Sequence, residues 1–233
     1  MIRQQKRWMQ YTYFNRQPDV RLGTTHLFAL AEKSLFGMIR ESFPTMTVDI
    51  RDENFLDAWS SSCRTKIRKA EQEALDLIRD RTLLKEVLDL FRQTALRKGI
   101  EGYDQKHFDS FPQIAVTGVR SEEKLMCGHV WLVDPEEKRA LFYVNASRFA
   151  DAKEDPALIG RAHYYLLYQD GLYLREMGID TLDLMGYDPE KKDPKKAGVY
   201  QWKAATRGTQ ECVFHYYPIW FYVLRKIRNI LPR

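Results

Sequence analysis

Hydrophobic and polar positions change rhythm several times along the chain. Residues 8–15 (WMQYTYFN) crowd aromatic side chains into a short run and predict a strand that Pro18 closes. Residues 25–40 carry Leu27, Leu30, Ala31, Leu35, Met38 and Ile39 at helical recurrence, which predicts an amphipathic helix capped by Thr24 or Thr25. Pro44 is expected to end the connection that follows. Residues 45–50 (TMTVDI) then alternate through Met46, Val48 and Ile50 and predict a strand. Residues 53–80 are dense in helix formers and read as helix. A further helix is expected over residues 81–98, with Leu84, Val87, Leu88 and Phe91 on one face and Gly99 as its stop.

Beyond Pro112 the period becomes that of strands. Residues 113–119, 124–133 and 139–144 predict an antiparallel meander, separated by the polar runs SEEK and DPEEK. A long helix is expected over 156–177, closed by Gly178, then a strand over 179–185 ending at Gly186. A charged loop at 188–196, a short helix over 198–205, a strand over 211–217 and a final helix over 219–231 complete the chain. Pro218 suits the first turn of that last helix. Strand–helix–strand units do not recur, so a doubly wound nucleotide fold is excluded. The order predicts an α/β (α+β) domain with a mixed, largely antiparallel central sheet flanked by helices.

Composition narrows the class. With 233 residues the chain can bury a full core without staples. The three cysteines are scattered and form no CxxC, which fits a reducing compartment rather than a disulfide framework. No HExxH or Cys/His cluster occurs, so no metal site is expected. There is no apolar run long enough to cross a bilayer and no apolar core behind Arg3, Lys6 and Arg7 that would make a secretory leader, so a cytoplasmic location is expected. The net charge of +5 gives a mild attraction for phosphate, membrane surface or RNA.

Three segments carry a likeness. Residues 163–188 read HYYLLYQDGLYLREMGIDTLDLMGYD, residues 198–203 read GVYQWK, and residues 62–74 read SCRTKIRKAEQEA. Together they resemble the FemAB-like branch of the GNAT (acetyltransferase-like) superfamily, over roughly residues 55–210. In that pattern Leu182–Gly186 is the Asp-containing strand that ends in glycine, and Gly198–Lys203 is the aromatic box, with Trp202 in place of phenylalanine. The resemblance implies one GNAT-like domain over 1–233: a reduced N-terminal half (about 1–110), a core transferase half (about 111–217) and an amphipathic C-terminal helix at 218–233. It implies acyl or aminoacyl transfer onto an amine or hydroxyl of a sugar- or lipid-linked cell-envelope precursor. No tightly bound cofactor is implied, and acyl-CoA, an acyl-carrier thioester or aminoacyl-tRNA would serve as donor. The pyrophosphate loop of the acetyl-CoA users is absent from the start of the long helix, where only Leu158–Ala162 stands. Two alternatives remain at this point: an acyl-CoA-dependent N-acyltransferase on a small molecule or nucleotide sugar, and a non-catalytic GNAT-like binding protein.

Candidate residues follow from the boxes and from side-chain chemistry. Asp183, His163 and His129 are catalytic candidates: the carboxylate to orient an amine or take a proton, the imidazoles to exchange one near neutral pH. A structural carboxylate and packed histidines are the competing readings. Lys203, Arg64, Arg68, Arg207, Tyr200 and Trp202 are candidates for holding the donor or its phosphates. Arg64, Lys66, Arg68 and Lys69 run around the helix, so Arg64 with Arg68 makes the coherent pair and Lys66 and Lys69 read as a solvated face. Asn145 and Ser147 are polar candidates at the mouth of a splay expected between 140–145 and 181–185. Cys63 and Cys127 read as buried small hydrophobes rather than nucleophiles. In the tail, residues 220, 224, 227 and 231 share a face with basic residues interleaved; that face suits an anionic membrane, the domain's own sheet or a second subunit in a homodimer.

Overall fold

The computed structural model describes every residue except Arg7, Leu22, 99–101, 150–154, 188–196 and 231–233. The Gly99 stop, the charged loop at 188–196 and the tail end at Leu231 and Arg233 lie outside the described residues. Ten strands form one sheet: β1 (Ile2–Lys6), β2 (Met9–Tyr13), β3 (Thr24–Ala29), β4 (Met38–Asp49), β5 (Leu75–Arg79), β6 (Ile114–Ser121), β7 (Lys124–Asp134), β8 (Arg139–Ser147), β9 (Thr181–Gly186) and β10 (Thr209–Pro218). Their spatial order is β1-β2-β3-β10-β4-β9-β8-β7-β6-β5. All neighbours run antiparallel except β2 with β3 and β8 with β9. The sheet is thus mixed and largely antiparallel, as the sequence predicts.

The helices are α1 (Ser61–Ala70), α2 (Leu84–Lys98), α3 (Gln105–Asp109), α4 (Pro156–Glu176), α5 (Ala197–Ala204) and α6 (Ile219–Ile230). Trp59, Ile67, Trp131, Phe142, Leu167, Leu182 and Leu184 form the core beneath α1 and α4. Leu84, Val87, Leu88, Phe108, Val130, Leu141 and Val144 form the core beneath α2 and α3. The α2 layer sits close to the sheet because β7 carries a glycine there. A Cβ on Gly128 would stand 2.5 Å from Val87 Cγ2.

Three expectations from the sequence are corrected. Residues 25–40 do not form a helix. Thr24–Ala29 is a strand held between β2 and β10, and residues 30–37 form an irregular connection to β4. Of the six apolar positions with helical spacing only Leu27 lies in β3; Leu30, Ala31 and Leu35 belong to the connection and Met38 and Ile39 to β4, so the apparent period spans three separate segments. Residues 53–80 do not form one helix either. A 3-10 turn at Phe55–Ala58 precedes α1, Ser60 caps α1 by accepting from Cys63 N at 3.3 Å, and Leu75–Arg79 pairs with β6 at the sheet edge. Finally, Pro44 does not end a connection but lies inside β4, opposite Cys212. Pairing with β9 starts only at Thr45, so the missing proline N–H is not required there. Strand β1 and helix α3 were not foreseen.

The feature that positions the site is the β8–β9 pair. Joined through α4, the two strands pair in parallel at Arg139–Thr181, Ala140–Leu182 and Leu141–Asp183. Pairing stops there, although β8 runs on to Ser147 and β9 to Gly186. Beyond Leu141 and Asp183 the two strands part and leave an open notch in the middle of the sheet.

Candidate active site

On the α4 face, beside the notch, five side chains form a shielded polar cluster. His129 on β7 stands opposite Asn145, beyond the last β8–β9 pair, and is fully buried. Its Nδ1 lies 2.6 Å from Asp170 Oδ2, and the same oxygen accepts from Trp131 Nε1 at 2.9 Å. An oxygen that accepts two N–H groups fixes the hydrogen on Nδ1 and leaves the His129 Nε2 lone pair open. That Nε2 is shielded from solvent and has no hydrogen-bond partner among the described residues. His163 on α4 lies alongside, with ring centroids 5.0 Å apart, and its Nε2 is likewise shielded and unpartnered. Burial, with His129 beside it, holds His163 well below the usual imidazole range, so it is neutral at pH 7. Trp202 of α5 stacks on His163 at 4.6 Å and on Phe142 of β8 at 5.8 Å, and its Nε1 also lacks a partner. Buried polar atoms are almost always hydrogen-bonded. Three nitrogens left open around one spot, an indole N–H donor and two imidazole nitrogens, fit a site that receives polar atoms from a substrate.

A second polar network occupies the opposite face. Asp183 on β9 alternates with Leu182 and Leu184 and is completely buried. Its Oδ2 accepts from Arg139 Nε at 3.2 Å and Nη2 at 2.7 Å. Its Oδ1 accepts from Thr45 Oγ1 and from the Met185 amide at 2.8 Å. Arg139 also donates to Glu211 Oε2 at 2.9 Å, and its guanidinium lies over the Phe14 ring at 5.5 Å. Burial opposes the Arg139 charge, but Asp183 and Glu211 outweigh it and raise its affinity for the proton. Lys203 reaches from α5 to the end of β9, where Nζ donates to the Gly186 carbonyl at 2.7 Å. Burial pushes Lys203 down to about 8, with Asp183 opposing the shift.

The other sequence candidates divide. Asn145 and Ser147 are half-buried on β8, opposite His129 and Cys127 on the α4 side of the sheet. Tyr200 is buried against Tyr187 and Met46. Arg207 is exposed in the turn before β10, with a positive φ of 51°. Arg64 turns back on the chain, donating to the carbonyls of Asp57 at 2.8 Å and of Trp59. Arg68 is exposed on α1. Lys66 and Lys69 are exposed, as a solvated face predicts, and border a groove of about 680 Å³ between α1 and the start of α4, with Ser61, Thr65, Gly160 and Arg161. His163 follows Gly160 by about one helical turn along α4. Cys63 and Cys127 are buried, and burial raises both thiols, the former to about 12.

The N-terminus of α4 would be a natural cradle for a donor phosphate. Here the Asp155 carboxylate already accepts from the Ala157 and Leu158 amides at 2.8 and 3.2 Å. A pyrophosphate would have to displace a like charge. The cationic groove beside it is the better match for phosphate.

No protein-family model matches the chain, and no curated protein matches it. Solved structures do match. FemX superposes with a TM-score of 0.60 at 15% identity, over 79% of this chain and 63% of that one. L-PGS from Bacillus licheniformis gives 0.55 at 13%, over 85% and 68%. The C-terminal domain of a protein assigned as a lysylphosphatidylglycerol synthetase from Agrobacterium fabrum gives 0.54 at 11%, over 84% and 68%. The chain has a FemX-like fold of the GNAT class. It spans less than two thirds of the FemX chain it matches. Asp170, Arg139 and Glu211 are site residues that sequence reasoning missed. Only Asp170 left a signal: it follows His163 by seven residues, two helical turns on the same face.

Proposed function

We propose that the chain is an acyl- or aminoacyl-type transferase acting on an amine or hydroxyl of a sugar- or lipid-linked cell-envelope precursor. The observation that carries this reading is the set of unpartnered His129, His163 and Trp202 nitrogens beside the notch where β8 and β9 part. Phosphates of the donor lie against Lys66 and Lys69 in the α1–α4 groove, and the activated carbonyl reaches the notch. The acceptor nitrogen or oxygen attacks the carbonyl carbon. Trp202 Nε1 donates to the oxygen that becomes negative. His129 Nε2, held by Asp170 through Nδ1, takes the proton that the acceptor loses. As the tetrahedral centre collapses, the bond to the donor's sulfur or ribose oxygen breaks and the proton passes to the leaving group. Lys203, at the end of β9, offsets the negative charge that develops there. His163 and Trp202 wall the site and hold water out.

The phosphate-binding arrangement favours a donor read by side chains over one read by a helix N-terminus. Aminoacyl-tRNA and acyl-CoA, offered separately with a simple amine acceptor, test both the reaction and the donor. Transfer from either that falls in His129→Asn supports the reading. Absence of transfer from aminoacyl-tRNA, acyl-CoA and acyl-carrier thioesters alike would leave the chain a GNAT-like binding protein.

A further inference from the structure

Among the described residues nine large apolar side chains are exposed, and six of them lie on three segments that meet at one end of the molecule: Trp8, Phe36, Ile219, Val223, Leu224 and Ile227. Helix α6 organises them. Trp8, in the β1–β2 turn, packs on Trp220 with ring centroids 4.9 Å apart. Phe36 is 97% exposed, and the carbonyl of its neighbour Gly37 accepts the Ile219 amide at 3.1 Å. Along α6, Ile219, Val223 and Ile227 recur every four residues and Leu224 widens the stripe. The helix touches its own domain through Trp220 against Trp8 and through Phe221, Tyr222 and Arg225 against Tyr217, while Ile219, Val223, Leu224 and Ile227 stay exposed. Its apolar arc therefore points to solvent, the reverse of what a surface helix on a soluble domain does.

The charges say what covers this arc. The helix sequence IWFYVLRKIRNI contains Arg225, Lys226 and Arg228 and no acidic residue. Arg225 and Lys226 are exposed, and each cation sits over an aromatic ring, Tyr217 at 4.9 Å and Tyr222 at 5.2 Å. A second copy seated by two-fold symmetry would bring two such helices together with no carboxylate on either to offset the repulsion. An anionic lipid surface supplies both the apolar and the negative partner. A helix of twelve residues is about 18 Å long, enough to lie flat and too short to cross. No helix among the described residues is long and apolar enough to span a membrane.

We propose that α6, with Trp8 and Phe36 beside it, lies in the headgroup layer of an anionic bilayer and berths the domain there. The apolar arc enters the acyl boundary, the indole rings stand at headgroup level, and Arg225 and Lys226 meet lipid phosphate. This inference goes beyond the transferase reading and stands without it.

The full chain is mixed with vesicles of phosphatidylcholine alone, and with vesicles in which a third of the lipid is phosphatidylglycerol, at low and high salt. Pelleting with the anionic vesicles, loss of most of that pelleting at high salt, and loss of it in Val223→Asp/Leu224→Asp/Ile227→Asp are the expected results. Arg225→Glu/Lys226→Glu should lower the bound fraction at low salt by about tenfold or more, because each basic residue near an anionic surface contributes about 1 kcal/mol. All substituted positions are exposed, and circular dichroism checks that the variants stay folded. Binding that survives the triple substitution would overturn the proposal. So would failure to bind anionic vesicles at low salt combined with a concentration-dependent dimer that the triple substitution dissolves, which would assign the arc to a second copy. Tighter binding to RNA than to vesicles, lost in the charge-reversal variant, would overturn it as well. None of these outcomes depends on donor turnover.

Discussion

Replacing Lys203 with methionine should make the protein more stable and less active at once. Lys203 is 6% exposed, and its ammonium donates to the Gly186 carbonyl at 2.7 Å. Burial lowers its proton affinity from 10.5 to about 8 against the attraction of Asp183. At about 1.4 kcal/mol per tenfold change in proton affinity, holding that charge costs the native state about 3 kcal/mol at pH 7. The unfolded chain keeps the proton up to about pH 10.5, whereas the native chain keeps it only to about 8. The unfolded state therefore binds more protons between these values, and native stability rises with pH across that window. Methionine has a similar length and no charge. Lys203→Met removes the cost but strands the Gly186 carbonyl, a loss of about 1 kcal/mol or more. The net expectation is a gain of up to about 2 kcal/mol at pH 7 that shrinks towards pH 10.5.

Urea unfolding of the two proteins at pH 7 and at pH 9.5 measures the difference and its pH dependence. If Lys203 offsets charge on the leaving group, turnover falls by roughly a hundredfold to a thousandfold in the same variant. A variant that is less stable at pH 7 would refute the reasoning and make the lysine a structural tie. A variant that is more stable with unchanged turnover would remove Lys203 from the mechanism and leave its burial unexplained.

His129→Asn should lower turnover by about a hundredfold to ten-thousandfold with little change in KM, and Asp170→Asn should do the same by releasing the Nδ1 hydrogen that fixes the ring; steady-state kinetics with a saturating donor separate the two constants. Asp183→Asn should destabilise the fold by about 3–5 kcal/mol, because it leaves the buried Arg139 charge without its main partner, and replacing both by apolar residues should recover most of that loss in denaturant unfolding. Gly128→Ala should cost about 1–3 kcal/mol by calorimetry, since its Cβ would meet Val87 Cγ2 at 2.5 Å and α2 would have to lift from the sheet.

Period and punctuation made the C-terminal half readable. The meander, α4, β9 and β10 each carry a uniform rhythm bounded by Pro112, Pro156, Gly178 or Pro218, and each stands where the pattern put it. The N-terminal half resisted for a physical reason. The helical spacing of apolar residues over 27–39 is spread across β3, a connection and β4, with no single element behind it, and Leu75–Arg79 follows a helix with only a short turn between. Partners across the sheet were equally hidden. Arg139, Asp183 and Glu211 are brought together by the register of β8 on β9 and of β10 on β4, a relation between segments that no local pattern encodes. Lys66 and Lys69 are exposed, as their pattern on α1 predicts, but the groove they border was hidden because its α4 wall lies about ninety residues away in the chain.

The two buried polar networks on either side of the notch are told apart by what each leaves unmade. Asp183 has both oxygens engaged, by Thr45 and the Met185 amide on one and by Arg139 on the other, and Arg139 goes on to Glu211. A network closed in this way is a clamp. It sits at Leu141–Asp183, the last rung before β8 and β9 separate, and fixes where the separation begins. The histidine cluster is the opposite case. Asp170 spends one oxygen on His129 and Trp131, and the open nitrogens of His129, His163 and Trp202 meet no partner among the described residues. Each such atom costs about 1–3 kcal/mol when desolvated and unpaired. A purely structural cluster would be more stable with apolar side chains in those places. Retaining three open nitrogens beside the gap between β8 and β9 is accounted for if a substrate completes their hydrogen bonds, which is why the proposed chemistry is put on the α4 face and the closed ion-pair network is read as the clamp at the edge of that gap.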